Sequence, residues 1–304
     1  MKFNFPSKVE FYITNVCNYT CDNCNRFNNH KFASGQRWSD YQADYRRWSE
    51  LVNLNSIVIM GGEPLLNPTV VDWIRGASEI FEADVQVLTN ATRIHQTPGL
   101  YEAIVERSPV KGQRRHIGIS LHNMSDFDTL RANVLEFLQG PVLEFGTRLG
   151  IPAPNPPAPD YGAYWSAYDA NGVLVNMWIS NHFFPAAVQL NEQGRFTLHN
   201  SNVEAAYSNC AFARFKSYHF IRGKLYKCGP VALLPEFDQQ KNLDITDEDR
   251  ALIHSYRPLT PDNYADYSEE FFESLNGPIP NCKFCSSYTS GTVITPVRKG
   301  LVKQ

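Results

Sequence analysis

Residues 9–24 read VEFYITNVCNYTCDNC, a short apolar run followed at once by three closely spaced cysteines. The run at residues 9–14 is rich in β-branched and aromatic side chains and therefore predicts a β-strand. Cys17, Cys21 and Cys24 form the pattern CxxxCxxC directly after it. Because the chain has seven cysteines in 304 residues, this spacing is not accidental. The loop after the first predicted strand is thus a candidate site.

Strand-like runs and helix-like stretches alternate from residue 9 to about residue 140. The helix-like stretches have apolar residues three or four positions apart, which is the helical period. The predicted strands are residues 9–14, 56–60, 85–89 and 116–121, and the predicted helices lie at 41–52, 70–81 and 127–138. This alternation predicts a parallel sheet covered by helices, so the fold class is α/β.

Two further strands are predicted at residues 173–180 and at 186–190. Residues 1–200 would then form a first domain, a partial (βα)6 barrel similar to a TIM barrel. Residues 151–160, IPAPNPPAPD, hold five prolines and cannot be helical, because proline lacks the backbone donor. They form either a surface connection or a lid over a site.

The last third of the chain has a different pattern. Residues 215–228 predict a β-hairpin that turns at Arg222-Gly223, where glycine permits a positive φ. Residues 236–276 are acidic and compatible with helices, and a CxxC pair follows at 282–285. We therefore predict a second, small α+β domain at residues 205–304.

Composition excludes several classes of protein. Lysine and arginine number 28 against 31 aspartates and glutamates, a net charge of −3 with no block of like charge, which excludes the basic surface of a nucleic-acid binder. No apolar run is long enough to cross a membrane, and no signal-peptide pattern begins the chain. We therefore expect a cytoplasmic protein without a membrane or nucleic-acid partner. In a reducing compartment, closely spaced cysteines indicate metal ligands rather than disulfides.

The three cysteines of the first loop suit an iron–sulfur cluster. Three thiolates can bind three irons of a four-iron cluster and leave the fourth iron open to a substrate or cosubstrate. The alternative is a zinc site, although structural zinc takes four ligands and usually collects them as CxxC pairs.

A second motif, GGEP, follows the second predicted strand. Its residues are Gly61, Gly62, Glu63 and Pro64. The glycines let backbone approach a ligand closely, and the carboxylate can accept hydrogen bonds from an ammonium group. Together with CxxxCxxC, the motif resembles the radical S-adenosylmethionine (SAM) superfamily over about residues 8–200. The resemblance implies that Cys17, Cys21 and Cys24 hold a 4Fe-4S cluster and that GGEP holds the amino group of SAM.

Polar residues follow the predicted strands at the carboxyl ends, where a βα barrel places its active site. By similarity to the family, Ser120 would bind the ribose of SAM and Asn90 would line the SAM pocket. His122 and His182 are the candidate catalytic bases. The family usually has an aromatic residue near the adenine, just before the third cysteine, but Asn23 occupies that position here.

The remaining cysteines are Cys210, Cys228, Cys282 and Cys285. Their spacing, with Gly223 between the first two, resembles the twitch domain, a shortened SPASM extension found after radical SAM barrels. The resemblance implies that these four thiolates hold an auxiliary 4Fe-4S cluster with no open iron. Four thiolates can also bind zinc tetrahedrally, so zinc is the alternative.

These resemblances imply a radical SAM oxidoreductase with SAM and two 4Fe-4S clusters as cofactors. An external one-electron reductant, such as flavodoxin or ferredoxin, would start SAM cleavage to a 5′-deoxyadenosyl radical, which abstracts a substrate hydrogen. Transfer of one electron to the auxiliary cluster makes the net reaction a two-electron oxidation of a small polar or sugar-like substrate. The alternative is a peptide-modifying maturase, which often has an additional N-terminal domain, whereas this chain begins almost at the barrel. A non-enzymatic iron–sulfur or zinc protein for electron transfer or scaffolding is a more distant alternative.

Overall fold

The computed structural model describes residues 2–32, 34–106, 113–146, 164–180 and 185–287. The strands are β1 (Phe3–Asn4), β2 (Val9–Tyr12), β3 (Val52–Asn53), β4 (Ser56–Met60), β5 (Asp84–Thr89), β6 (Arg115–Leu121), β7 (Val142–Phe145), β8 (Tyr164–Asp169), β9 (Leu174–Ile179), β10 (Val188–Leu190), β11 (Phe196–Leu198), β12 (Tyr218–Ile221) and β13 (Lys224–Tyr226). The α-helices are α1 (Trp38–Leu51), α2 (Val70–Phe81), α3 (Leu100–Val105), α4 (Phe127–Phe137), α5 (Val203–Ser208), α6 (Ala211–Phe215), α7 (Gly229–Lys241), α8 (Asp247–His254) and α9 (Tyr264–Ser274). Short 3-10 helices occupy Asn28–His30, Pro64–Leu66, Ile94–Gln96, Met124–Asp126 and Pro280–Phe284. None of the helices described here is both long and apolar enough to cross a membrane.

A nine-stranded mixed sheet organises the fold, in the order β13-β12-β2-β4-β5-β6-β9-β8-β7. The six strands from β12 to β9 are parallel to one another, whereas β13, β8 and β7 pair antiparallel at the two ends. In the register of the central strands, Phe11 of β2 lies opposite Ile59 of β4 and Phe220 of β12. The predicted α/β class with a large sheet is confirmed, while the barrel form of that sheet stays a prediction.

The core lies where the apolar strands of the sheet pack against the amphipathic helices. The sequence SIVIM of β4 is buried at its three central positions, as expected for a parallel strand covered on both faces. Helix α2 buries Trp73, Ile74 and Ala77 at helical spacing. The ring of Trp38 in α1 packs edge-on against Trp73 at 5.1 Å, which joins the first two crossover helices.

Most predicted elements are confirmed, with boundaries within three residues of those expected. Strand β10 does form within residues 186–190, but it pairs with β11 in a separate two-stranded sheet and does not extend the main one. Strands β7 and β8 were not predicted from the sequence. The proline-rich residues 151–160 lie outside the described residues.

The predicted hairpin is confirmed as β12 and β13, and Arg222 and Gly223 at its turn both have positive φ. The hairpin extends the main sheet, because β12 pairs in parallel with β2. Phe220 of β12 is fully buried, with its ring centre 5.1 Å from that of Trp48. The sheet and its core thus continue across the boundary predicted near residue 205, and the division into two domains stays a prediction.

Candidate functional site

A cavity of about 180 Å³ lies where the parallel strands end. This first cavity is lined by most of the residues that the sequence singled out, namely Cys17, Cys21, Cys24, Gly61, Gly62, Glu63, Asn90, Ser120 and His122. They come from the carboxyl ends of strands β2, β4, β5 and β6, which meet at one edge of a parallel sheet. The structure therefore brings together side chains that are far apart in the sequence.

The two glycines of GGEP make close contact with the cysteine loop. The amide of Gly62 donates to the Thr14 carbonyl at 2.7 Å, and the amide of Glu63 donates to the Val16 carbonyl at 2.8 Å. A Cβ on Gly61 would lie 2.5 Å from the Thr14 oxygen, and one on Gly62 would lie 2.4 Å from the Val16 oxygen. Glycine at both positions therefore lets the cysteine loop lie directly on the end of β4.

Glu63 lies at the wall of the first cavity and is 1% exposed. One carboxylate oxygen accepts from the Thr89 hydroxyl at 2.5 Å and the Leu65 amide at 3.0 Å, and the other accepts from the Asn90 amide at 2.7 Å. Burial raises the pKa of Glu63 to about 7 even though these hydrogen bonds act to lower it. A carboxylate has about four acceptor positions, so one remains for an ammonium donor.

Asn90 is tied to the cysteine loop, since its side-chain amide donates to Asn18 Oδ1 at 2.8 Å. His122 Nδ1 donates to the Ser180 carbonyl at 2.7 Å, which assigns the ring proton to Nδ1 and leaves Nε2 as an acceptor. Burial lowers the pKa of His122, so the ring is neutral near pH 7. A neutral imidazole at the cavity wall is suited to accept a proton.

Two described residues predicted for the SAM site, Pro64 and Asn23, are not among those that line this cavity. Pro64 is buried and begins the 3-10 helix Pro64–Leu66. Asn23 takes the left-handed conformation, with φ at 56°, in a turn of the cysteine loop. His182 lies outside the described residues. The roles predicted for Asn23 and His182 stay predictions.

Arg26 also lines the first cavity and was missed from the sequence. It is 5% exposed, and its Nη2 donates to Glu10 at 2.5 Å. Glu10 in turn contacts the buried His219 at 2.6 Å. The sequence contains one signal for it, namely that an arginine closely follows Cys24. The motif does not include this signal, because it is defined by the spacing of its cysteines alone.

A second cavity, of about 260 Å³, is lined by all four remaining cysteines, Cys210, Cys228, Cys282 and Cys285. Cys210 and Cys228 are the N-caps of α6 and α7, and Cys282 lies in the 3-10 helix Pro280–Phe284. Burial and the neighbouring Cys210 raise the pKa of Cys228 to about 12. Asn25 lines both cavities, so they are adjacent.

Buried thiols with raised pKa values need a positive partner to become thiolates, and bound iron or zinc supplies it. In the first cavity, burial and the neighbouring Cys24 raise the pKa of Cys21 to about 12. The cysteines that line the two cavities are of the donor type that iron–sulfur clusters and zinc take. Within the described ranges, no three Cys, His, Asp or Glu side chains are grouped as ligands of a metal ion. The ligand roles of the cysteines stay predictions.

No family model matches the chain, and no curated protein matches it. Among solved structures, it is similar to SuiB of Streptococcus suis bound to S-adenosylmethionine, with 22% identity, a TM-score of 0.31, and coverage of 38% of this chain and 25% of that one. A second SuiB structure has 22% identity and a TM-score of 0.30, with coverage of 38% and 24%. SuiB bound to the precursor peptide SuiA has 21% identity and a TM-score of 0.31, with coverage of 38% and 24%. The match spans about a quarter of the SuiB chains, so the activity, substrate and partners of this chain are proposals.

Proposed function

We propose that the chain is a radical SAM enzyme that oxidises its substrate by two electrons. The observation that carries the proposal is the first cavity. There the CxxxCxxC loop, the GGE backbone, Asn90, Ser120 and His122 meet at the carboxyl ends of four parallel strands. An electron carrier needs no such pocket for a second ligand beside three cysteines.

When bound, the two 4Fe-4S clusters and SAM would supply the radical chemistry, in which a 5′-deoxyadenosyl radical takes a hydrogen atom from the substrate and the auxiliary cluster accepts one electron. The chain itself would bind and orient SAM and the substrate and would exclude water from them. Cys17, Cys21 and Cys24 would hold the first cluster, and their loop is fixed by the hydrogen bonds from Gly62 and Glu63.

Glu63 would accept a hydrogen bond from the amino group of SAM through its remaining acceptor position. Because its pKa is about 7, an ammonium nearby would favour the ionised form and add a charge-assisted hydrogen bond. Asn90 and Ser120 would contact the rest of SAM. His122, neutral and held by the Ser180 carbonyl, is the described residue suited to remove the substrate proton.

The class of substrate is inferred from the side chains that line the first cavity. A small polar or sugar-like molecule is the main candidate, because amide, hydroxyl and imidazole side chains of Asn90, Ser120 and His122 are among the groups that line the first cavity. A peptide is the alternative, and one SuiB structure holds a precursor peptide. The electron for SAM cleavage would come from an external reductant such as flavodoxin or ferredoxin.

The test is to purify the full chain anaerobically, reconstitute it, and measure iron, acid-labile sulfide and zinc per chain. We expect about eight irons with matching sulfide, as two four-iron clusters require. With dithionite and SAM, the protein should form 5′-deoxyadenosine. Zinc without iron would contradict the proposal.

Two variants separate the roles of the cavities. Cys17→Ala should abolish 5′-deoxyadenosine formation, because the first cluster loses a ligand. Cys282→Ala should retain that formation while losing about four irons and substrate oxidation. Equal substrate oxidation by Cys282→Ala and the wild type would remove the electron-accepting role of the second cavity.

A further inference from the structure

Lys227 follows the hairpin at the wall of the second cavity and is only 7% exposed. Its ammonium donates hydrogen bonds to the carbonyls of Ser274 and Gly277. It also lies 5.2 Å from the centre of the Tyr207 ring. These contacts, made to a separate part of the chain, hold the positive charge in one place beside Cys228.

Among the residues that the structure describes, no carboxylate forms an ion pair with Lys227. Among the described residues that line the second cavity, it is the one charged side chain. Cys210, Cys228 and Cys282 line the same cavity as Lys227, so as thiolates they would supply negative charge near its ammonium. A buried cation is costly unless negative charge lies nearby, so the cavity suits a group with net negative charge.

The first cavity differs in its fixed charge. The cation at its wall, Arg26, is paired with Glu10 at 2.5 Å, and the carboxyl of Glu63 lies at the same wall. A group that gains an electron is therefore stabilised more beside the unbalanced Lys227 than in the first cavity.

We propose that Lys227 raises the reduction potential of the iron–sulfur cluster held by Cys210, Cys228, Cys282 and Cys285, and so makes the second cavity the electron-accepting end of the enzyme. This inference rests on the proposed function. The electron comes from the substrate radical that remains after hydrogen abstraction, and the same radical releases a proton, so the product is oxidised by two electrons in total. Lys227 acts only through its positive charge beside the cluster, and it takes no part in bond making or breaking.

The experiment is a redox titration of the reconstituted full chain, followed by electron paramagnetic resonance. The signal of the first-cavity cluster is recognised by its change on addition of SAM, and the other signal is then measured. Lys227→Met should lower the midpoint potential by about 59 mV or more, a tenfold change for a one-electron couple. Lys227→Arg keeps the charge and should change the equilibrium constant for reduction of the cluster by less than about twofold. Lys224→Met removes an exposed charge from the same hairpin and should have no effect, since water screens it.

An unchanged potential in Lys227→Met would overturn the inference. If Lys227→Met does not retain the cluster, the Lys227→Arg variant shows whether the charge or the fold is responsible. A cluster retained by Lys227→Arg at the wild-type potential supports the need for charge, whereas its loss there too would make Lys227 a merely structural residue. Wild-type chain with only about four irons would contradict the proposed function itself, which the metal measurement detects separately.

Discussion

Arg26 places a buried positive charge between the two cavities. Its side chain lines the first cavity, and its guanidinium carbon lies 5.0 Å from the ring centre of Phe212, which lines the second. Glu10 balances the charge at 2.5 Å, while no described residue accepts a hydrogen bond from Nε or Nη1 of the arginine. The pair is therefore largely removed from water, so each charge relies on the other for stabilisation.

Arg26→Met should destabilise the chain by about 3 kcal/mol, because it leaves the largely buried Glu10 carboxylate without its arginine partner. Urea unfolding measures the loss. The matched control is Arg75→Met, which breaks an ion pair with Glu106 whose side chains are both 43% exposed and should cost less than about 1 kcal/mol. The double variant Glu10→Gln with Arg26→Met should lose less than Arg26→Met alone. Equal losses would show that charge pairing is not the cause.

Glu10 should also make stability depend on acid pH. Burial alone would raise its pKa, but His219, Arg26 and Lys8 hold the pKa at about 2, against 4.5 in an exposed glutamate. Between these values the unfolded chain binds more protons than the folded chain, so stability falls as pH drops from about 4.5 to about 2. The gap in unfolding free energy between wild type and Glu10→Gln should narrow through that window. A gap that stays constant would contradict the low pKa.

At the scale of elements, the end of β4 and the loop after β2 are built as one unit. Gly62→Ala should push the cysteine loop away from β4, because the new Cβ would meet the Val16 carbonyl at 2.4 Å. We expect a loss of about 1–3 kcal/mol in stability and weaker iron binding at the first site. Gly35→Ala is the control, since its Cβ would meet only the Thr14 hydroxyl at an ordinary 3.8 Å. Wild-type iron content and stability in Gly62→Ala would contradict this account.

The elements with strong local patterns were predictable from the sequence. Apolar runs such as β4 and the helical spacing of α2 fix strand and helix without knowledge of their neighbours. Strand β7 could not be found this way, because three of its four residues are exposed and its pattern has no buried face. Strand β10 shows a further limit, since local sequence predicts a strand but not which sheet it joins.

The candidate site was predictable where a motif marks it and not elsewhere. CxxxCxxC and GGEP identified the first cavity because their spacing is visible along the chain. Arg26, Glu10 and His219 were not identified, since they meet only through the pairing of β2 with β12. Lys227 was missed for the same reason, because its contacts to Ser274 and Gly277 arise from the fold.

For the whole molecule, the last third of the chain completes the core of the first part. Phe220 packs against Phe11 at 5.2 Å and Trp48 at 5.1 Å, and the Trp48 indole donates to the Gly223 carbonyl at 2.8 Å. Farther along, Phe272 of α9 stacks on Phe3 at 3.7 Å. The two cavities are therefore supported by one continuous sheet and core.

A fragment of residues 1–204 should consequently fail to fold on its own. Without β12, β2 becomes an edge strand with unpaired backbone groups, and the rings of Phe11, Tyr45 and Trp48 lose the side chain that covers them. We expect the fragment to aggregate and to lack a cooperative urea transition, with the full chain as control under the same conditions. Near-ultraviolet circular dichroism reports directly on these buried aromatic rings. A cooperative transition with a native aromatic signal would instead establish residues 1–204 as an independent domain and make the shared core dispensable.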